Sequence, residues 1–203
     1  DDITLYAKWS INNYDIDYVL YEHFDPLAYI TLYSGESIEC VALGKNHSAL
    51  LTSDGRLFTW GQNDYGQLGD GTTTDKYTPI EITSNFSLNV GETIIEIAAG
   101  DHHTAVITSE GRVFTWGWND YGQLGDGTTT TRYTPTEITS NFSLNYGETL
   151  IQVLLGVTHS SAITSEGSIF IWGDSIYGQL GDSTGISRYT PIEITFYTPL
   201  LFK

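Results

Sequence analysis

A 56-residue unit occurs three times in this chain of 203 residues, and this repeat constrains the fold more than any other feature. Trp60, Trp116 and Trp172 are each followed by glycine and lie 56 residues apart. The segments 53–94 and 109–150 differ at only 8 of 42 positions. Each unit must therefore adopt the same local fold and bury its apolar faces against its neighbours.

Each unit contains four short segments that are typical of β-strands. They are rich in β-branched and aromatic residues and tend to alternate in polarity. Tight turns such as Ser109-Glu110-Gly111 separate them, and no stretch shows a helical period with caps. In the second unit we predict strands at residues 94–99, 104–108, 113–116 and 134–139.

Four strands in a repeated unit of this length indicate either propeller blades or the coils of a β-solenoid. We favour the propeller because solenoid coils are usually much shorter. The predicted fold class is all-β, with a β-propeller of about three four-stranded antiparallel blades.

Three motifs recur in every unit, and in the second unit they are Ala98–Val106, Gly111–Gly117 and Asn119–Gly125. Together they resemble the regulator of chromosome condensation repeat over about residues 35–195. That resemblance implies a propeller that usually has seven blades, so the three units here would form an incomplete one.

An arc of three blades leaves strand edges unpaired. We expect the remaining blades to come from a longer protein of which this chain is a part. The alternative is self-association that completes a ring, because near-identical units can pack on one another.

The first residues carry a second resemblance. Ile3–Trp9 is similar to the final strand of the internalin-type B repeat, a small β-grasp module of bacterial surface proteins. We therefore expect residues 1–12 to end a preceding domain, 13–30 to form a linker or a first outer strand, and 31–203 to form the blades. The same resemblance implies a secreted or cell-surface protein of a bacterium.

The charge balance restricts the partners. Eight Lys and Arg residues face 25 Asp and Glu residues, which gives a formal net charge of −17. Such a surface repels nucleic acid and anionic membranes, and no apolar run reaches the ~18 residues of a membrane span. A basic or neutral protein partner is compatible with this charge. The single cysteine, Cys40, excludes a disulfide within the chain and is expected to be a small buried apolar residue.

Three histidines occupy one position of the repeat. A shared metal ion would need their nitrogens within about 2.1 Å of it. Equivalent positions of neighbouring blades are expected to lie too far apart for three rings to reach one ion. We expect no metal and no cofactor, and we predict a structural role in which each ring bonds a backbone carbonyl. We predict that the following residues are structural: His47, His103, His159, Trp60, Trp116 and Trp172.

Two Asp-Gly-Thr sequences, at 70–72 and 126–128, superficially resemble calcium loops. They lack the alternating acidic ligands and the closing Glu of such loops. We predict that Asp70 and Asp126 cap turns instead.

No catalytic motif is present, and a group repeated in every blade serves the framework rather than a reaction that needs it once. We therefore predict a binding module rather than an enzyme. Repeat proteins vary their surface loops and keep their framework constant, and Trp is enriched among binding hot spots. The binding positions predicted from variation between units are Lys45, Asn46, Gln62, Asp101, His102, Trp118 and Asp174.

The leading expectation is a protein-binding propeller module of an exported bacterial protein. The family resemblance implies two alternatives: an inhibitor of a secreted enzyme such as a β-lactamase, and a regulator that promotes guanine-nucleotide exchange.

Overall fold

The computed structural model describes residues 30–194. The regions predicted as a preceding domain (1–12) and a linker or outer strand (13–30) lie outside the described residues, except for Ile30, and so does the end of the predicted blade region. The described part contains no α-helix; its only helical elements are two short 3-10 turns, and none of its helices could cross a membrane. Its twelve strands are β1 (Ile38–Leu43), β2 (His47–Thr52), β3 (Leu57–Gly61), β4 (Lys76–Glu81), β5 (Ile94–Ala99), β6 (His103–Thr108), β7 (Val113–Gly117), β8 (Arg132–Glu137), β9 (Leu150–Leu155), β10 (His159–Thr164), β11 (Ile169–Gly173) and β12 (Arg188–Ile194).

The strands form three antiparallel sheets, β1–β4, β5–β8 and β9–β12, and in each sheet the spatial order of the strands follows the chain. We call these sheets blade 1 (β1–β4), blade 2 (β5–β8) and blade 3 (β9–β12). The innermost strands are β1, β5 and β9, since β5 packs against β1 on one side and β9 on the other. The predicted all-β fold of three four-stranded blades is confirmed.

The outer strand of the second blade differs from the prediction by two residues. It was expected at 134–139, but β8 spans Arg132–Glu137 and a 3-10 turn follows at Thr139–Asn141. The reason is the Thr139 side chain, whose Oγ1 accepts a hydrogen bond of 2.9 Å from the backbone N–H of Val113. Thr139 therefore holds the start of β7 instead of extending the outer strand.

The apolar core lies between blades. The first cluster joins residues of blade 1, such as Leu51 and Leu57, to Val106 and Trp116 of blade 2. The second cluster repeats this arrangement between blades 2 and 3. Cys40 is half-buried against the first cluster, which agrees in part with the expectation for this residue.

A hydrogen-bonded relay also crosses each junction. The hydroxyl Oγ1 of Thr104 in blade 2 donates to the carbonyl of Gln67 in blade 1 at 2.8 Å, and the indole Nε1 of Trp116 donates to the same carbonyl at 2.9 Å. The Nε2 atom of His47 lies 2.9 Å from this Thr104 hydroxyl. His103, Ser160, Gln123 and Trp172 form the same relay between blades 2 and 3.

The relay changes the role predicted for the histidines. The ring partner of His47 is a hydroxyl of the next blade and not the backbone carbonyl that the sequence suggested. Since that hydroxyl already donates to Gln67, it can only accept from His47, which fixes the proton of the neutral ring on Nε2. Nδ1 is left buried without a hydrogen-bond partner among the described residues.

Candidate functional site

The antiparallel order of each blade brings two of its connections to the same end of the molecule. The turns at 44–46, 100–102 and 156–158 and the long loops at 62–75, 118–131 and 174–187 lie there. We call this end the loop face. In each blade a backbone hydrogen bond of 2.8–2.9 Å joins the turn to the start of the loop, from Gln62 to Asn46, from Trp118 to His102 and from Asp174 to Thr158.

All the predicted binding positions lie on the loop face: Lys45, Asn46, Gln62, Asp101, His102, Trp118 and Asp174. These positions are predicted to bind because they vary between units. The structure brings the turn residue and the loop residue of each unit side by side. Their role in binding stays a prediction.

The long loops are held by side chains that do not vary in the first two units. The buried amide of Asn63 donates to Asp70 Oδ1 and to the Thr72 carbonyl, both at 3.0 Å, and its Oδ1 accepts the backbone N–H of Leu68. Asp70 caps its turn by accepting the backbone N–H of Thr72 at 2.9 Å. Asp126 does the same for Thr128, as the sequence predicted for both aspartates. The described residues contain no group of His, Cys, Asp and Glu that could hold a metal ion.

The loop of blade 3 contains one strained residue. Ser183 has a φ of 62°, whereas Gly71 and Gly127 occupy the equivalent positions with φ of 79° and 80°. A left-handed conformation costs a residue with a Cβ roughly 1–2 kcal/mol. We expect Ser183→Gly to raise the free energy of unfolding by about 1 kcal/mol, measured by urea denaturation. An unchanged or lower urea midpoint would contradict this assignment of strain.

One pair of neighbouring side chains differs in chemistry from blade to blade. In blade 1 the Asn46 amide donates to Gln62 Oε1 at 3.0 Å. In blade 3 the Thr158 hydroxyl lies 3.4 Å from Asp174 Oδ2. In blade 2 the pair is an imidazole and an indole, His102 and Trp118, with ring centroids 5.9 Å apart. The same backbone position therefore presents amides, a hydroxyl with a carboxylate, and aromatic rings.

The aromatic pair of blade 2 belongs to a larger cluster that spans two blades. Tyr65 of blade 1 lies 5.1 Å from the His102 ring and 5.5 Å from Trp118, and Tyr121 lies 5.3 Å from Trp118 nearly at right angles. We call these four residues the aromatic cluster. Tyr65 and Tyr121 remain 37% and 42% exposed, so their rings are accessible from solvent.

Two polar atoms of the aromatic cluster have no partner. Nε1 of Trp118 and Nδ1 of His102 are buried and make no hydrogen bond to any described residue. Burial, followed by the charge of Lys45, lowers the pKa of His102, which keeps its ring neutral at pH 7. Lys45 in turn lies 3.8 Å from Asp101. The cluster thus combines apolar rings with an unsatisfied indole donor beside a weak surface ion pair.

A pocket of about 310 Å³ opens where the three turns of the loop face converge. Its lining consists of three equivalent tripeptides, one from each blade, at 43–45, 99–101 and 155–157, and each has a glycine at its centre. The glycines admit the histidine rings, since a Cβ at Gly44 would lie 2.2 Å from the ring of His47. The pocket is therefore bounded by a fixed backbone and by side chains that differ in charge and size.

Sequence variation found Trp118 and His102 but missed Tyr65 and Tyr121. The tyrosine is present in every unit, where Tyr177 is its third copy, so a search for varying residues passes over it. It contributes to the site only where the neighbouring turn and loop supply aromatic partners.

Comparison with known families agrees with this architecture. A family model described as the regulator of chromosome condensation (RCC1) repeat matches residues 54–107 and 110–163, and a second model of this repeat matches residues 38–67 and 94–123. The chain belongs to the RCC1 repeat family. The expected resemblance to this family is thereby confirmed.

Relatives of this RCC1-repeat chain include plant and animal proteins. The ultraviolet-B receptor UVR8 of Arabidopsis thaliana is 34% identical over 82% of this chain and 36% of its own length. The probable E3 ubiquitin-protein ligase HERC4 of Homo sapiens is 36% identical over 76% of this chain and 14% of its own length. This chain therefore spans little more than a third of the length of UVR8 and a smaller share of the length of HERC4.

Solved structures show the same fold. Human WBSCR16 matches with a TM-score of 0.70 and 30% identity over 80% of this chain and 41% of that one. Yeast RCC1 (Prp20), solved bound to Kap60, matches with a TM-score of 0.65 and 24% identity over 78% of this chain and 37% of that one. Residues 30–194 of this RCC1-repeat chain therefore form three consecutive blades of a propeller fold.

Proposed function

We propose that this RCC1-repeat module binds a protein partner through the loop face of blades 1 and 2, without catalysing a reaction. The observation that carries the proposal is the aromatic cluster, which joins blades 1 and 2 and leaves the rings of Tyr65 and Tyr121 37% and 42% exposed. Accessible aromatic rings of this kind offer a partner a large contact area at a small cost in side-chain entropy.

The surroundings of the cluster favour a partner with basic or neutral character. The chain carries a net charge of −17, which steers a basic surface towards it and repels an acidic one. Aromatic faces also attract Lys and Arg side chains. We therefore expect basic or apolar side chains of the partner to pack on the exposed rings of Tyr65 and Tyr121 beside Trp118.

Substitution of Trp118 tests the proposal. We expect Trp118→Ala to weaken binding by about 2 kcal/mol, roughly 30-fold in Kd, as for an aromatic hot spot. Trp118→Gln installs the residue found at this position in blade 1 and should weaken binding similarly. Proteins retained by the immobilised wild-type chain are identified first, and the Kd of each is then measured by titration calorimetry.

The matched control is Tyr146→Ala, because Tyr146 is a fully exposed aromatic residue in the connection between β8 and β9, away from the loop face. This variant should bind like the wild type. Equal affinities of the wild type and Trp118→Ala for every retained protein would contradict the proposal.

The location in the cell is a separate proposal. We propose that the parent protein is exported to the surface of a bacterium, and the support is the resemblance of Ile3–Trp9 to a surface-protein repeat, which lies outside the described residues. Fractionation of the source cells tests it, and recovery of the protein only from the cytosol would contradict it. The inhibitor and nucleotide-exchange alternatives gain no specific support from the loop face.

A further inference from the structure

Two carboxylates beside the aromatic cluster have no cation. Between residues 30 and 194 every Lys and Arg forms an ion pair with a carboxylate: Lys45, Arg56, Lys76, Arg112, Arg132 and Arg188. None of these pairs includes Asp64 or Asp120, which are exposed on the loop face and directly precede Tyr65 and Tyr121. Each accessible ring of the cluster therefore follows an unpaired carboxylate.

Asp120 has also lost the hydrogen-bond partner of its counterpart in blade 1. There the amide Nε2 of Gln62 donates to Asp64 Oδ2 at 2.5 Å. In blade 2 Trp118 replaces that glutamine and packs on the Tyr121 ring instead, with centroids 5.3 Å apart. Asp120 makes no hydrogen bond with any other residue of the described blades. Its carboxylate is therefore free to bind a donor from outside, next to two aromatic rings.

The third unit keeps the tyrosine but lacks both of its companions. Ile176 stands where Asp64 and Asp120 stand in the other units, and Asp174 replaces Trp118. The same loop fold forms without them, so the carboxylate and the indole are not needed to build it. Rings and carboxylates are thus combined only where blades 1 and 2 meet on the loop face, within the part of the chain that the structure describes.

The carboxylates act electrostatically on the rings of the cluster. Burial and the charge of Lys45 lower the pKa of His102, and the charges of Asp101 and Asp64 oppose this change. Lys45 lies 3.8 Å from Asp101 in an exposed pair, and such a pair is weak. One lysine therefore faces several carboxylates around the cluster, which leaves a local excess of negative charge that attracts a further cation.

We propose that the aromatic cluster binds an arginine side chain of the partner protein, which stacks on Tyr121 and pairs with Asp120. This inference rests on the proposed function of the loop face and names the chemical group that the face recognises. A guanidinium is flat, so it can stack on a ring while its edge donates two hydrogen bonds to a carboxylate, whereas a lysine ammonium has no flat face. Tyr65 with Asp64 offers a second such place, and both tyrosines contact Trp118, so one short basic segment can reach both.

A short peptide with two arginines, acetyl-Gly-Arg-Gly-Arg-Gly-amide, tests the inference on the full chain. The NMR signal of the Trp118 indole N–H reports its binding. We expect a Kd of roughly 1–5 mM at low salt and weaker binding at about 0.3 M salt. The corresponding lysine peptide should bind at least threefold more weakly, and the citrulline peptide, which keeps the shape of arginine without its charge, should not bind.

Variants of the chain locate the contact. Asp120→Asn should weaken binding of the arginine peptide at least threefold. The matched control is Asp54→Asn, because Asp54 is an exposed carboxylate in the turn between β2 and β3, at the opposite end of blade 1 from the loop face. This variant removes the same charge from the chain and should bind like the wild type.

Three results would overturn the inference: no shift of the Trp118 signal up to about 20 mM arginine peptide, equal affinities for the arginine and lysine peptides, or unchanged binding by Asp120→Asn. The proposed function has a separate readout in the proteins that the immobilised chain retains. If Asp120→Asn binds these proteins as tightly as the wild type while Trp118→Ala binds them weakly, the loop face binds its partner without an arginine contact at Asp120. The proposed function then stands and the inference about arginine is wrong.

Discussion

Replacing Gly122 by alanine is expected to lower the free energy of unfolding by about 2–5 kcal/mol, because left-handed backbone strain adds to the clash of the new methyl group with the next blade. The added Cβ would lie 2.3 Å from Cδ1 and 2.9 Å from Cα of Tyr189 in the next blade. The Cα atom belongs to the backbone of β12 and cannot rotate away. The blades must therefore separate locally or lose the contact.

Gly178 supplies a matched control for this substitution. Both glycines have a φ of 74°, so alanine suffers the same left-handed strain at either position. At Gly178, however, no described atom lies within 4 Å of the added Cβ. We expect Gly178→Ala to cost only the strain, about 1–2 kcal/mol. Urea denaturation of dilute protein, followed by tryptophan fluorescence, gives both values, and equal losses would show that blade 3 does not pack on Gly122.

The second large effect is a loss of stability in mild acid that comes from the relay histidines. Burial lowers the pKa of His47 to about 4 and that of His103 to about 3. In the unfolded chain these rings take up a proton near pH 6.5. The stabilisation by the neutral rings is complete above pH 6.5 and is lost as the pH falls towards 4, because only the unfolded state binds the protons. For His47 alone the loss amounts to about 3 kcal/mol.

The structure explains why these rings resist a proton. Nε2 of His103 donates to Ser160, whose hydroxyl is committed to the Gln123 carbonyl. A second proton would sit on Nδ1, which is buried and has no acceptor among residues 30–194. The charge would thus be placed in the apolar junction without a counter-ion.

Glutamine variants isolate the histidine contribution. The amide of His47→Gln or His103→Gln can donate to the same hydroxyl but does not titrate. Burial raises the pKa of Glu96 and lowers that of His102, but both groups are the same in the wild type and the variants. The difference between the profiles from about pH 6.5 to 5 therefore reports the relay histidines. We expect the wild type to lose stability there and the double variant to show a flatter profile in urea denaturation. Parallel profiles of the two proteins would contradict the assignment.

The sequence predicted the blades well because the same pattern of strand and turn residues occurs in three copies. Alternation and turn residues located the inner strands, and the Trp-Gly pair marked the end of the third strand in each blade. The outer strand was misplaced by two residues, since its sequence does not show that the Thr139 side chain bonds the backbone of β7. Such a bond depends on tertiary contacts that a strand pattern does not contain.

The site was predicted less completely for a similar physical reason. Variation between units identified Trp118 and His102, but the cluster also needs Tyr65, which comes from the neighbouring blade. Position in the repeat also predicted a structural histidine without its partner, because Thr104 follows His103 in the sequence but serves His47 of the blade before. Contacts across a junction link residues about one repeat apart, and periodicity alone does not state which of them touch.

Each junction between the described blades is closed by a tryptophan that donates to a glutamine carbonyl of the preceding blade, and the packing of the blades depends on this contact. Hydrogen exchange of the indole N–H groups, followed by NMR on dilute protein, tests it directly. We predict slow exchange for Trp116 and Trp172, whose Nε1 atoms donate at 2.9 and 2.8 Å, and faster exchange for Trp60, which is partly exposed. Equally fast exchange of Trp116, Trp172 and Trp60 would contradict the account.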